Sequence, residues 1–205
     1  MPFPLFEAPI GDATGFSPHG EACATCGARA VATFATDAGA VCYSCLRDGR
    51  GEITKDTVFG MVRPEDARAG LTHGTPMPPA GGYELVAHPI DENFPAERWY
   101  SVRVASEHLI ELVRTPKYST WQGERWLFCC KRPAVFKGAW GHDAWRESAE
   151  EHGAPLENFV RGALSLEEVE VESVMDALEE GRGGLVIYAF RCGECGRVLG
   201  HYDMD

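Results

Sequence analysis

Long apolar runs are missing from this sequence of 205 residues, and so are clusters of positive charge. The longest uninterrupted apolar stretch, Leu185 to Phe190, has the length of a strand and falls far short of the roughly 18 residues a membrane span needs. The opening Met1-Pro-Phe-Pro-Leu-Phe-Glu has neither the basic nor the apolar region of a secretion signal, so a cytoplasmic location is expected. Lysine and arginine together number 19 against 31 aspartates and glutamates, a net charge of −12. Nucleic-acid binding draws on clustered cations that release counterions from phosphates, and no such cluster is present. Also absent are H-E-x-x-H, G-x-S-x-G and a glycine-rich phosphate loop, which removes the commonest hydrolase and nucleotide signatures. Internal repeats are absent as well. A hydrophobic fraction of 44% still places the chain among globular proteins.

What the chain does have is paired cysteine. Cys23-Ala-Thr-Cys26 and Cys42-Tyr-Ser-Cys45 form one C-x2-C set with fifteen residues between the pairs. Cys192-Gly-Glu-Cys195 is a third pair, and Cys129-Cys130 lie adjacent in the middle. Two thiolates two residues apart on a tight turn face one ion, and two such turns complete a tetrahedron with Zn–S bonds of about 2.3 Å. Disulfides are disfavoured in a reducing cytoplasm. Thioredoxin-like chemistry would need each pair to open a helix after a strand, whereas Gly27 and Gly196 follow two of the pairs, as suits a zinc knuckle.

The surrounding pattern predicts an α+β fold: an N-terminal zinc-ribbon module over residues 1–55, then a small mixed α/β domain over 56–205 ending in a second cysteine knuckle. Ala28 to Ala35 reads as a strand, and Thr36 to Ala40 as a hairpin turn ahead of Val41. Residues 56–97 read as an insertion, with a helical turn at Pro64 to Ala69 and a Pro/Gly loop from Gly70 to Gly82. Tyr100 to Val104 alternates like a strand, and Ser106 is placed to cap a short helix that buries Leu109, Ile110, Leu112 and Val113 before Pro116. Trp121 to Cys130 reads as an aromatic strand, with Phe136, Trp140 and Trp145 as core or pocket wall. Ser165 and Glu168 have the spacing of a capping box; Val171, Val174, Met175 and Leu178 recur at helical intervals, and Gly181 ends that helix. Leu185 to Arg191 and Arg197 to Tyr202 read as strands flanking the last knuckle. Glu147 to Glu180 carries eleven acidic residues and one arginine, a net of −10, so the rest of the chain is nearly neutral.

Four segments together resemble the CbrC family, bacterial cysteine-rich proteins associated with colicin tolerance. They are Cys23-x-x-Cys26; Cys42-Tyr-Ser-Cys45-x-x-Asp48-Gly49; Arg114-Thr-Pro-x-Tyr118-x-x-Trp121-Gln-x-Glu124-x-Trp126-Leu-x-Cys129-Cys130; and Tyr188-x-Phe190-Arg-Cys192-x-x-Cys195-Gly196. The third is long and specific, while residues 51–97 and much of 137–180 match poorly. The family often continues beyond the adjacent cysteines with an aspartate and a further cysteine; Arg132 and Ala134 stand at those places here. The resemblance implies metal binding and no reaction or substrate.

Cys23, Cys26, Cys42 and Cys45 are therefore expected to hold a structural Zn2+, and Cys129, Cys130, Cys192 and Cys195 a second one. Adjacent cysteines on an extended strand point to opposite faces, so both can ligate only if the chain turns there. His142, His201 or a water are the alternative fourth ligands; an open position with Glu124 beside it would suit a zinc hydrolase. His73, His88 and His152 read as surface residues. His19-Gly-Glu21 ahead of Cys42-x-x-Cys45 approaches a zinc-deaminase pattern, but Val41 replaces its proline and Cys23 and Cys26 would be unexplained. The function expected is a zinc-stabilised protein that binds a protein partner, of basic character if the acidic segment is the contact, with the hydrolase as the alternative.

Overall fold

The computed structural model describes residues 2–76, 81–89, 97–181 and 184–204. An antiparallel three-stranded sheet opens the chain: β1 (Phe16–Ser17), β2 (Thr33–Thr36) and β3 (Gly39–Cys42), with Phe16 opposite Phe34 and Phe34 opposite Val41. The β2–β3 turn falls where expected, and the Thr36 hydroxyl ties it by donating to Gly39 O at 2.8 Å. Ladder pairing begins only at Thr33, because the backbone of Ala28 and Ala30 is bonded to Cys23 and Glu21 instead. Helix α1 (Tyr43–Arg47) follows at once and buries Cys45 and Leu46.

Residues 51–103, where periodicity shows little, hold a five-stranded antiparallel sheet. Its strands are β4 (Lys55–Thr57), β5 (Gly60–Val62), β6 (Leu71–Thr75), β7 (Leu85–Ala87) and β8 (Tyr100–Arg103), in the order β4-β5-β6-β8-β7. Strands of three to five residues are too short for alternation to register, which is why the loop expected from Gly70 contains β6. Residues 77–80 of that loop lie outside the described residues. Helix α2 (Pro64–Ala69) starts on proline and ends at Gly70, whose φ of +70° suits the cap. Gly60 is required sterically: a Cβ there would meet the His73 carbonyl oxygen at 1.7 Å. In α3 (Ser106–Val113), Ala105 occupies the cap position and Ser106 is the first helical residue, so the expected serine cap is not formed. Leu109, Leu112 and Val113 are its buried face.

The expected strand from Trp121 to Cys130 forms a strand only at β9 (Phe128–Cys129), which pairs with β10 (Arg132–Pro133), while Trp126 makes a single parallel bridge to Thr57. Upstream the chain curls around Asp203, which accepts from the backbone N–H of Trp121 at 2.8 Å and of Gln122 at 3.2 Å; Trp121 is left 56% exposed. Trp126 is fully buried and donates to Ala134 O. Then come β11 (Val135–Trp140), α4 (His142–Glu151), α5 (Leu156–Leu164), α6 (Glu168–Glu180), β12 (Leu185–Arg191) and β13 (Val198–Met204), the last sheet running β11-β12-β13. The capping box of α6 is formed by Glu167 and Glu170, while Ser165 ends α5 with a φ of +57°. Gly181 terminates α6 as read.

β12 explains its own unbroken apolar run. Ile187 and Ala189 face a cluster with Trp145, Val160, Val174 and Leu178 from the helices. Tyr188 and Phe190, on the opposite side by strand alternation, join the main core with Phe34, Leu46, Val62, Leu112, Tyr118, Trp126 and Phe136. That core draws on all the sheets described. No helix among the described residues is long and apolar enough to cross a membrane.

Candidate metal centres

Both C-x2-C-G segments adopt the same turn. Cys23 N–H donates to Ala28 O at 2.9 Å and Gly27 N–H to Cys23 O at 2.8 Å. Cys192 N–H donates to Arg197 O at 2.8 Å and Gly196 N–H to Cys192 O at 3.0 Å. The φ values of +71° at Gly27 and +73° at Gly196 are what glycine permits and other residues resist. Each knuckle thus closes on itself, with both of its sulfurs in a group of four.

The first knuckle meets Cys42 and Cys45 at the start of α1. Cys42 sits at the N-cap position and Cys45 one turn on, so the helix brings both to one side. The four sulfurs lie within 4.8 Å of one another. Cys23 and Cys45 are buried, Cys42 is half-buried, and Cys42 N–H donates to the Cys23 sulfur at 3.3 Å. Burial pushes the Cys23 thiol up, but N–H donors from Cys42, Cys26 and Thr25 outweigh it and bring it down to about 6. Burial, with its three sulfur neighbours, pushes Cys45 up to about 12.

The second knuckle meets Cys129 and Cys130, and the required turn is present. Cys130 and Lys131 have φ of +50° and +61° between the paired residues Cys129 and Arg132, the pattern of a type I′ hairpin usually made by Asn-Gly. Each such non-glycine residue costs about 1–2 kcal/mol. In return, both adjacent sulfurs reach the knuckle: Cys129 is 3.9 Å from Cys130 and 3.7 Å from Cys195, and all four sulfurs again lie within 4.8 Å. A common ion about 2.3 Å from each of four sulfurs would separate them by about 3.8 Å, well beyond a disulfide's length. The Arg197 backbone N–H, aided by the neighbouring sulfurs, lowers Cys195 to about 7. Burial and then Cys192 and Cys195 raise Cys129, and Cys195 and Cys192 raise Cys130. In each group, then, one thiol ionises readily and crowding opposes the next charge; a divalent cation relieves that opposition. The donor set fits a thiophilic ion in both places.

The other expected participants are engaged elsewhere. His201 Nε2 is 2.5 Å from the Tyr118 hydroxyl, and His142 Nδ1 is 3.7 Å from Asp143. Glu124, read as a carboxylate beside an open zinc position, is instead buried against fully buried Lys55 at 2.9 Å. Lys55 also donates to Pro116 O and lies over the Trp126 ring. His152 is exposed as expected, but His73 and His88 are not free surface residues. Both bond to the Ser101 hydroxyl, at 3.2 and 2.8 Å, and His73 Nε2 lies 3.1 Å from Asp66. The register opposing His73 to Ser101 joins residues far apart in sequence, so no local signal marks this cluster.

Residues 2–204 match the profile described as "Uncharacterised protein family (UPF0167)". The chain is 36% identical over 108 residues to the UPF0167 protein PA1536 of Pseudomonas aeruginosa. That alignment covers 50% of this chain and 54% of the relative, so the chain spans about half the length of the curated relative it matches. No solved structure matches.

Proposed function

The chain belongs to the UPF0167 family, and we propose that it is a structural zinc protein that acts by binding a protein partner. The observation carrying the zinc reading is the convergence of two complete sets of four free cysteine sulfurs, each within 4.8 Å. Cys23, Cys26, Cys42 and Cys45 would hold one ion in a ribbon-like module, and Cys129, Cys130, Cys192 and Cys195 the other. A bound Zn2+ would supply cross-linking between segments distant in the chain. Elemental analysis of unchelated protein, with anomalous scattering at the zinc edge, tests this: two ions per chain are expected, and none would overturn it.

Four sulfurs in the second group favour a closed site over the hydrolase alternative, since no position is left for an activated water. The commitment of Glu124 to Lys55 weighs the same way. For the partner, the acidic surface is the pointer. Glu157, Glu168, Glu172, Asp176 and Glu179 line a groove between α5 and α6 with Leu156, Val171 and Met175. Such a groove complements a basic protein, and the family resemblance makes a cationic toxin-like protein one candidate of that class. Pull-downs at low and high salt separate the readings; binding indifferent to salt removes the electrostatic version.

A further inference from the structure

The surroundings of the second sulfur group have a character at odds with the whole molecule. The chain carries −12 overall, yet a cleft of about 530 Å³ beside Cys130 is lined by Arg68, Arg103, Lys131 and His108, with Glu84 its only carboxylate. That volume is in the range of small-molecule sites. Three separate elements deliver the cations: Arg68 from α2, Arg103 from β8 and Lys131 from the tip of the β9–β10 hairpin. Arg68 is held by Glu52, but the same buried carboxylate also binds Arg114 at 3.1 Å, so one positive charge in that trio is unbalanced. Arg103 is paired with Glu84 at 2.8 Å, an exposed pair that a ligand can displace. No ion pair to Lys131 occurs among the described residues. The remaining wall is small, with Ala69, Gly70, Val104 and Ala105 apolar and Ser106 adding one hydroxyl.

We propose that this cleft binds a phosphate-bearing small molecule. Guanidinium forks from two sides and an ammonium from a third suit an anion with several oxygens and more than one charge, which a single carboxylate does not offer. The small apolar wall accommodates the uncharged body of such an ester. A divalent ion held by the four thiolates would leave a net charge of −2 at the Cys130 end of the cleft, so the three cations must outweigh it, and the binding test is run on protein of known metal content.

Isothermal titration calorimetry of the purified full chain with inorganic phosphate and pyrophosphate, at low ionic strength, tests it. Saturable binding is expected, tighter for pyrophosphate and weakened by salt. The double variant Arg103→Gln/Lys131→Gln should weaken it by about tenfold or more, with metal content and melting temperature unchanged. Glu84→Gln, at an exposed position, should strengthen it and so answers the question even if the double variant misfolds. Absence of saturable heat with both anions, or affinities that ignore all three substitutions, would overturn the proposal.

Discussion

The two sulfur groups share one knuckle and differ in everything that completes it. In the first, fifteen residues separate the knuckle from its partner cysteines, which sit on a helix start that needs no unusual backbone, and Cys45 lies in the main core beside Leu46 and Val41. In the second, the partners come from a hairpin with two non-glycine residues at positive φ, with sixty-one residues between Cys130 and Cys192. Closing the longer loop costs roughly 1 kcal/mol more in chain entropy. Cys130 and Cys195 are both exposed there, and only Cys192 is buried. The first group is embedded in packing that supports it. The second is a clasp at the rim, where the ion itself would offset the backbone strain. The lesson is that a C-x2-C-G turn specifies two ligands, while its surroundings decide whether the resulting centre behaves as core or as fastening.

Breaking the first group should have the largest effect. Cys45→Ala should abolish folding or cost on the order of 5 kcal/mol, since it removes a ligand from a module fused to the core. With both groups loaded as proposed, Cys130→Ala should leave a folded chain that has lost one ion of two. Thermal melting with elemental analysis of both variants checks this, and equal losses would erase the distinction. Chelator titration sharpens it: the second ion should leave first.

A substitution distant from sulfur separates metal from packing. Lys55→Met removes the close counter-charge of buried Glu124, one of whose oxygens already lacks a hydrogen-bond partner, and leaves only Lys117 at 4.0 Å; it should cost about 3 kcal/mol without changing metal content. Chemical denaturation against metal content reads the two apart.

Acid should come next in size. Burial, with the Arg125 charge adding and Asp203 opposing, lowers His201 from its ordinary value of 6.5 to about 4. Between these values the unfolded chain binds more protons than the folded one, so this stabilising contribution is complete above pH 6.5 and is lost as pH falls towards 4. The loss should be on the order of 2 kcal/mol. His201→Gln should flatten the stability profile in that window, as urea denaturation at several pH values would register.

The smallest effect tests strain at the rim. Lys131→Gly removes a side chain at a φ of +61° and should stabilise the metal-free protein by about 1 kcal/mol, read as a shift in its denaturation midpoint. The corresponding change in the first group has no such strain to relieve.

Much of the candidate site was legible because its signal is local. A C-x2-C-G stretch is a turn in any context, and Thr36 to Ala40, Gly181 and Leu185 to Arg191 were placed by the same short-range chemistry. What failed were features set by distant partners. The Trp121 to Cys130 stretch has strand-like composition, but four hydrogen bonds to Asp203, from Thr120, Trp121, Gln122 and Tyr188, bend its beginning away from any ladder. The sheet of residues 55–103 went unread because its strands are too short to show a period. Ser165 and Ser106 have the chemistry of caps, yet each lies one or two places from the position the helix takes when packed.

The order of residues therefore settled which atoms can ligate and the form of each knuckle, because those depend on bonds within six residues. It also settled the acidic character of the stretch from Glu147 to Glu180. Folding in three dimensions decided that Cys129 and Cys130 join Cys192 and Cys195 while His142 and His201 do not, that Glu124 is buried against Lys55, and that cations from three elements surround one cleft. These depend on strand register and hairpin twist, which bring together groups whose separation along the chain carries no record of their proximity.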